Sequence, residues 1–182
     1  NRGSGTCYNE RKNATTACDF SSTGLTENAK QMIDNAKWYT SASNYYITAS
    51  ESYAEERAST TTDFSSEDGV TRTTNWTGKV GLMYPSDYGY ASSGCRNGEQ
   101  TLYNYENETC RSTNWLYNSD NQWLLAPRAG SSYYVRVVLS NGNVNHRHAG
   151  SRLGARLVTY LSSSVKITGG NGTLSSPYEL EI

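Results

Sequence analysis

His146 and His148 are the only histidines in the 182-residue chain, and they sit in a short stretch with Arg136, Arg147 and Arg152. On an extended backbone alternate side chains share a face, so the two imidazoles would lie side by side. Such a pair suits metal binding, acid–base catalysis or recognition of an anion. Zinc needs at least a third protein ligand, and the only acid between residues 111 and 160 is Asp120. Glycoside hydrolysis needs two carboxylates, and the basic stretch does not supply them. No Gly-x-Ser-x-Gly nucleophile elbow occurs anywhere in the chain. No metal centre and no enzymatic activity are therefore expected, and recognition remains. Arg and His offer charge-assisted hydrogen bonds, while Tyr133 and Tyr134 offer stacking area at low entropic cost.

Two apolar runs must position these groups, Tyr133–Leu139 and Ala155–Leu161, both bounded by Gly, Ser and Asn and both read as strands. Between them Asn141-Gly142-Asn143 is a tight-turn signal that needs positive φ at its centre. Asn143–His148 can then return as a partner strand. Val135, Val138 and Val144 are expected to point inward, with Trp115, Trp123 and Arg156 completing a scaffold. The face built by residues 128–152 is the expected binding surface. Arg128, Tyr133, Tyr134, Arg136, Val137 and Leu139 come from its first half. Asn143, Asn145, His146, Arg147, His148, Ser151 and Arg152 come from its second, with Tyr117 and Asn118 at the rim.

Charge and composition agree with a recognition surface. The net charge of −1 divides into −5 for residues 1–110 (9 Lys and Arg against 14 Asp and Glu), +5 for residues 111–160 (6 Arg against Asp120) and −1 for the tail. An anionic partner is favoured by the basic segment; pairing of its arginines with the acidic N-terminal half is the alternative. From Leu124 to Val165 there is no Lys, Glu, Gln, Met or Trp, although these five types fill 25 of the 182 positions. Strands avoid Lys and Glu for ordinary reasons. These five are also the residue types that no codon ending in a pyrimidine encodes.

A resemblance enters at this point. It rests on Val80–Ala91 (VGLMYPSDYGYA), Asn114-Trp115-Leu116, Trp123-Leu124-Leu125, Asn141–Val144 and Ser162–Thr173 through Pro177-Tyr178. In these segments the chain resembles the C-terminal domain of Gram-positive gut bacterial surface proteins, many of which carry a prepilin-type N-terminus. The resemblance spans about the last 110 residues. It implies an α+β, C-type-lectin-like fold, two helices flanking a twisted, mostly antiparallel sheet. Some members of that family are targets of diversity-generating retroelements. Those elements rewrite the adenines of Asn codons and exclude the five residue types missing here. The family usually reads Val-Arg-Pro-Val where this chain has Ala155-Arg156-Leu157-Val158, so the Arg is kept and the Pro is not. The implied function is ligand binding at the cell surface, of an adhesin kind, to a host or bacterial surface protein or glycan of anionic character. A structural pilin or pseudopilin subunit whose variable surface evades immunity or phage is the alternative. Nucleic acid is not an expected partner, and a membrane enters only through a segment ahead of Asn1.

The rest of the chain reads as support. Residues 1–22 are expected to form an extension with a disulfide loop, and 23–182 the ligand-binding domain. Four cysteines allow three connectivities, and the spacings favour Cys7–Cys18 and Cys95–Cys110, which imply an extracellular compartment. Thr26–Tyr39 has apolar residues at helical spacing. Ala49–Ala58 is expected as a second helix, opened by the capping-box pattern Thr48-x-x-Glu51 with Tyr53 and Ala54 facing inward. Residues 59–76 read as an exposed loop or a ragged strand pair. Lys79–Met83 is a short strand leading through Pro85 into a brief helix. Val165–Thr168 and Tyr178–Ile182 read as closing strands around a Gly169–Gly172 turn. No cofactor is expected. The Tyr117–Asn121 loop carries oxygen ligands of the type Ca²⁺ uses but only one carboxylate, whereas such sites take 6–8 oxygens.

Overall fold

The computed structural model describes residues 25–42, 47–57, 63–65, 71–95, 100–131 and 133–182. The chain is α+β, with short helices and mostly antiparallel strand pairs. The expected extension over residues 1–22, with Cys7 and Cys18, lies outside the described residues.

The first helix, α1, is shorter than its periodicity suggests. It runs Glu27–Met32, capped by the Thr26 side chain, which accepts from the Ala29 N–H. Residues 36–39, expected to continue it, form strand β1 (Ala36–Tyr39) instead. The reason is a tertiary pairing. β1 lies antiparallel to β4 (Asn75–Gly78), placing Trp38 opposite Trp76 with ring centroids 5.8 Å apart. An aromatic cross-strand pair and a fully buried indole outweigh helical spacing in a stretch this short. Residues 63–65 (β2) and 71–73 (β3) pair antiparallel, as the ragged strand pair required.

Helix α2 (Ala49–Glu56) begins with the expected capping box, Thr48 and Glu51 each bonding the other's backbone. Its inward face differs from the expectation. Ala49, Ser52 and Glu56 are buried, while Tyr53 and Ala54 are exposed. Small and polar side chains let α2 approach helix α3 (Pro85–Tyr90), where a Cβ added to Gly89 would meet Ala49 at 2.6 Å. Strand β5 (Val80–Leu82) leads into α3 through Tyr84, and Pro85 opens the helix where a missing N–H costs nothing.

After a 3₁₀ turn (Leu102–Asn104), helix α4 (Glu108–Ser112) is capped by Asn107 and tied to Cys95 by the Cys95–Cys110 disulfide. The main sheet has the order β8-β7-β6-β9. Its strands are β6 (Gln122–Pro127), β7 (Tyr134–Val138), β8 (Val144–His148) and β9 (Gly154–Ala155). Only the β6–β9 pair is parallel among the described strand pairs. Leu157–Thr159 forms β10 and pairs with β5, so the expected strand 155–161 is split between two sheets. β11 (Lys166–Gly169) and β12 (Glu179–Glu181) form a closing hairpin.

The core lies between α3, α4 and the main sheet. Met83, Tyr88, Leu102, Tyr105, Leu116, Leu124, Val138 and Val144 pack there. Trp115, expected in this scaffold, is 77 % exposed. The Asn114 side chain donates to the Tyr88 carbonyl and accepts from the Leu116 N–H. That turn buries Asn114 and Leu116 and leaves the residue between them facing outward.

Candidate functional site: the open end of the β7–β8 hairpin

Strands β7 and β8 pair in the register Tyr134↔His148, Arg136↔His146, Val138↔Val144. Residues directly opposite share a face, so Tyr134, Arg136 and Val138 line up with His148, His146 and Val144. Val135, Val137, Asn145 and Arg147 take the other face. The face changes character along its length. At the turn end Val138 and Val144 belong to the core. At the open end of that face Tyr134 and His146 are half-buried and His148 is exposed.

The turn end is fixed from three sides. Gly142 has φ +99°, and its carbonyl accepts the buried Tyr88 hydroxyl at 2.9 Å. The Asn143 side chain accepts the Glu106 N–H at 2.6 Å. Tyr117, expected at the rim, is half-buried and donates its hydroxyl to the Ser140 carbonyl at 2.7 Å. The turn is thus anchored to the core at Gly142 and Asn143, while Ser140 and Asn141 stay exposed.

Three residues expected to touch a ligand lie beneath the surface. Arg136 is 1 % exposed, Val137 is 0 % exposed and Asn143 is committed to Glu106. Burial follows from position: Val137 sits opposite Trp123 in the neighbouring strand, and Arg136 lies one step from the core end of its face. Val135, expected inward, is only partly buried. Leu139 is half-buried, its backbone closing the turn with Gly142 and Asn143.

The open end holds a continuous aromatic and cationic patch. Tyr133 and Tyr134 have ring centroids 4.5 Å apart. Tyr134 meets His146 edge-on at 4.6 Å, and Tyr133 lies 5.6 Å from His148. The Arg128 guanidinium stands over the Tyr134 ring at 5.5 Å, a cation–π contact. Arg147, on the other face of β8, and Arg152, beyond the strand, are exposed, and Ser151 and Asn145 are half-buried. Burial, with the Arg128, Arg136 and Arg147 charges adding, holds His146 below the ordinary imidazole range. That shift favours the neutral form of the His146 ring.

In the loop that offered oxygens for Ca²⁺, two asparagine side chains are already engaged. Asn118 accepts from the Asp120 N–H and from the Gln122 side chain, and Asn121 accepts from the Ser140 N–H. Among the described residues no three His, Cys, Asp or Glu side chains gather where they could hold a metal.

A second concave region went unread in the sequence. An open groove of about 640 Å³ lies between α2, α3 and β10, lined by Tyr53, Arg57, Tyr90, Trp115, Arg156 and Tyr160 among others. Two of these, Trp115 and Arg156, were expected as scaffold. The signal available was the Asn114-Trp115 turn, where the Asn side chain commits inward and its neighbour cannot. No known family, curated protein or solved structure matches the chain.

Proposed function

We propose that this chain is an extracellular, cell-surface ligand-binding domain of C-type-lectin-like architecture, and that its binding face is the open end of the β7–β8 hairpin. One observation carries the reading. Tyr133, Tyr134, Arg128 and His148 form one patch of ring and cation contacts on strands whose turn end is tied to the core, and Arg147 is exposed on the opposite face of β8. A rigid base with an adaptable, Tyr- and Arg-rich surface is what a recognition face needs. The same stretch lacks the five residue types that retroelement rewriting excludes, which supports a face whose residues are exchanged while its base is kept. The partner is a surface protein or glycan with anionic groups, because Arg128 stands at the patch and Arg147 and Arg152 are exposed in the same segment, and arginines form paired hydrogen bonds to carboxylate or sulfate.

The test is an array of glycans and purified surface proteins probed with the wild type and with a Tyr133→Ala/Arg147→Ala/His148→Ala variant. The reading expects wild-type hits that the variant loses. An array without hits, from a folded protein, would favour the structural-subunit alternative. The DNA around the coding gene gives an independent check. A near-copy of codons 124–165, differing only at adenines, beside a reverse-transcriptase gene is the expected arrangement.

A further inference from the structure

The groove between α2, α3 and β10 shares no residue with the hairpin patch. Its floor is apolar and buried, made by Trp38 and Met83. Its rim is unusually aromatic: Tyr53, Tyr90, Trp115 and Tyr160 are all exposed rings around one concavity. Single exposed aromatics are ordinary on a protein surface, but several converging on one concave, mostly apolar site are the composition of a small-molecule pocket.

The polar groups of the groove decide what it would hold. Arg57 is already satisfied. It lies between the Tyr53 and Tyr84 rings at 4.4 and 4.2 Å, donates to the Ser86 hydroxyl and pairs with Asp87 at 2.9 Å. Asp87 is satisfied too, since its second oxygen accepts the Tyr84 N–H at 2.9 Å. The wall therefore offers few free acceptors or donors for a sugar's many hydroxyls. Arg156 differs. It is half-buried at the groove, and no carboxylate or hydrogen-bond acceptor is paired with its side chain among the described residues. A guanidinium partly withdrawn from water beside apolar rings favours an anion.

We propose that this groove is a second binding site, for a small amphipathic anion: a flat, apolar ring body that stacks against Trp115 and Tyr160 and carries one carboxylate that pairs with Arg156. The site is separate from the hairpin face, so its occupation does not depend on how that face reads its partner.

The test uses the whole chain and two probes of the same shape, 2-naphthoate and its neutral analogue 2-naphthylmethanol, in isothermal titration calorimetry. The wild type is expected to prefer the acid by roughly tenfold or more, the size of one charge-assisted hydrogen bond. Arg156→Gln removes the preference while the alcohol still binds, and Trp115→Ala weakens both probes together. Arg156→Lys keeps the charge and retains part of the preference, which separates loss of the cation from loss of the fold. No saturable binding of either probe overturns the proposal. So do equal affinities in the wild type, or an unchanged preference in Arg156→Gln.

Discussion

The Tyr88 hydroxyl donates to the Gly142 carbonyl at 2.9 Å, joining the buried face of α3 to the turn between β7 and β8. That bond is one of three that hold the hairpin by its tip. Removing the hydroxyl in Tyr88→Phe leaves a buried carbonyl without its donor. The expected loss is about 1–3 kcal/mol of unfolding free energy, read by urea denaturation.

Gly142 itself cannot be replaced without strain. Its φ of +99° disfavours any side chain, and an added Cβ would meet the Tyr105 carbonyl at 3.1 Å and Arg111 Cγ at 3.2 Å. Gly142→Ala is expected to cost about 1–3 kcal/mol, measured as a lowered thermal midpoint. Gly150→Ala, on the exposed open end, serves as the mild comparison.

Glu56 gives the fold a pH dependence of known sign. Its carboxylate is buried, and burial pushes it up to about 7 against an ordinary value of 4.5, even though Ser52, the Ser86 hydroxyl and the Ser86 N–H donate to it and Arg57 stands nearby. A folded-state pKa above the unfolded one means the native chain binds the extra proton. Stability is then greatest below about 4.5 as far as this group is concerned, and falls as pH rises to about 7. The full swing is about 3 kcal/mol. Glu56→Gln should flatten that slope in denaturation curves taken between these two pH values. The His146 contribution has the opposite sign, because a depressed imidazole costs stability as pH falls below its ordinary value. It survives in the variant and so is read separately.

The Cys95–Cys110 bond closes a loop with a sequence separation of 15. Loop entropy gives such a cross-link about 3 kcal/mol. Replacing both cysteines by Ser should lower the denaturation midpoint accordingly. Reduction of the wild type should produce at least this shift, and any smaller shift left in the double variant on reduction reports the expected Cys7–Cys18 loop.

Much of the local structure was legible, and the reasons it failed elsewhere are physical. The Thr48–Glu51 capping box, Pro85 at the first turn of α3 and the Asn-Gly turn at Gly142 each state a backbone geometry within four residues, and each was found as read. Helix α1 was overextended because Trp38 and Tyr39 keep helical spacing, while their partner strand is some forty residues away. Tyr53 is expected inward because its ring offers more apolar area than Ser52 or Glu56. Yet the α2–α3 contact has room only for small side chains and a hydrogen-bonded carboxylate. In the hairpin, alternation puts His146 and His148 on one face, and Val138 and Val144 point inward as expected. It does not show that the other face is covered at Val137 by the neighbouring strand, nor that Arg136 and Asn143 lie too near the core end to reach the surface. Those three residues, expected at the binding surface, are therefore buried. The groove was invisible for a similar reason, since α2, α3 and β10 come together only in three dimensions.

The decisive titration compares two lesions against one ligand. The strongest hit from the array is titrated with the Tyr133→Ala/Arg147→Ala/His148→Ala protein and with Trp115→Ala, both checked for an unchanged melting temperature. The hairpin account predicts at least a roughly tenfold loss of affinity in the first and wild-type affinity in the second. Unchanged affinity in the hairpin variant, or a loss confined to Trp115→Ala, would contradict it.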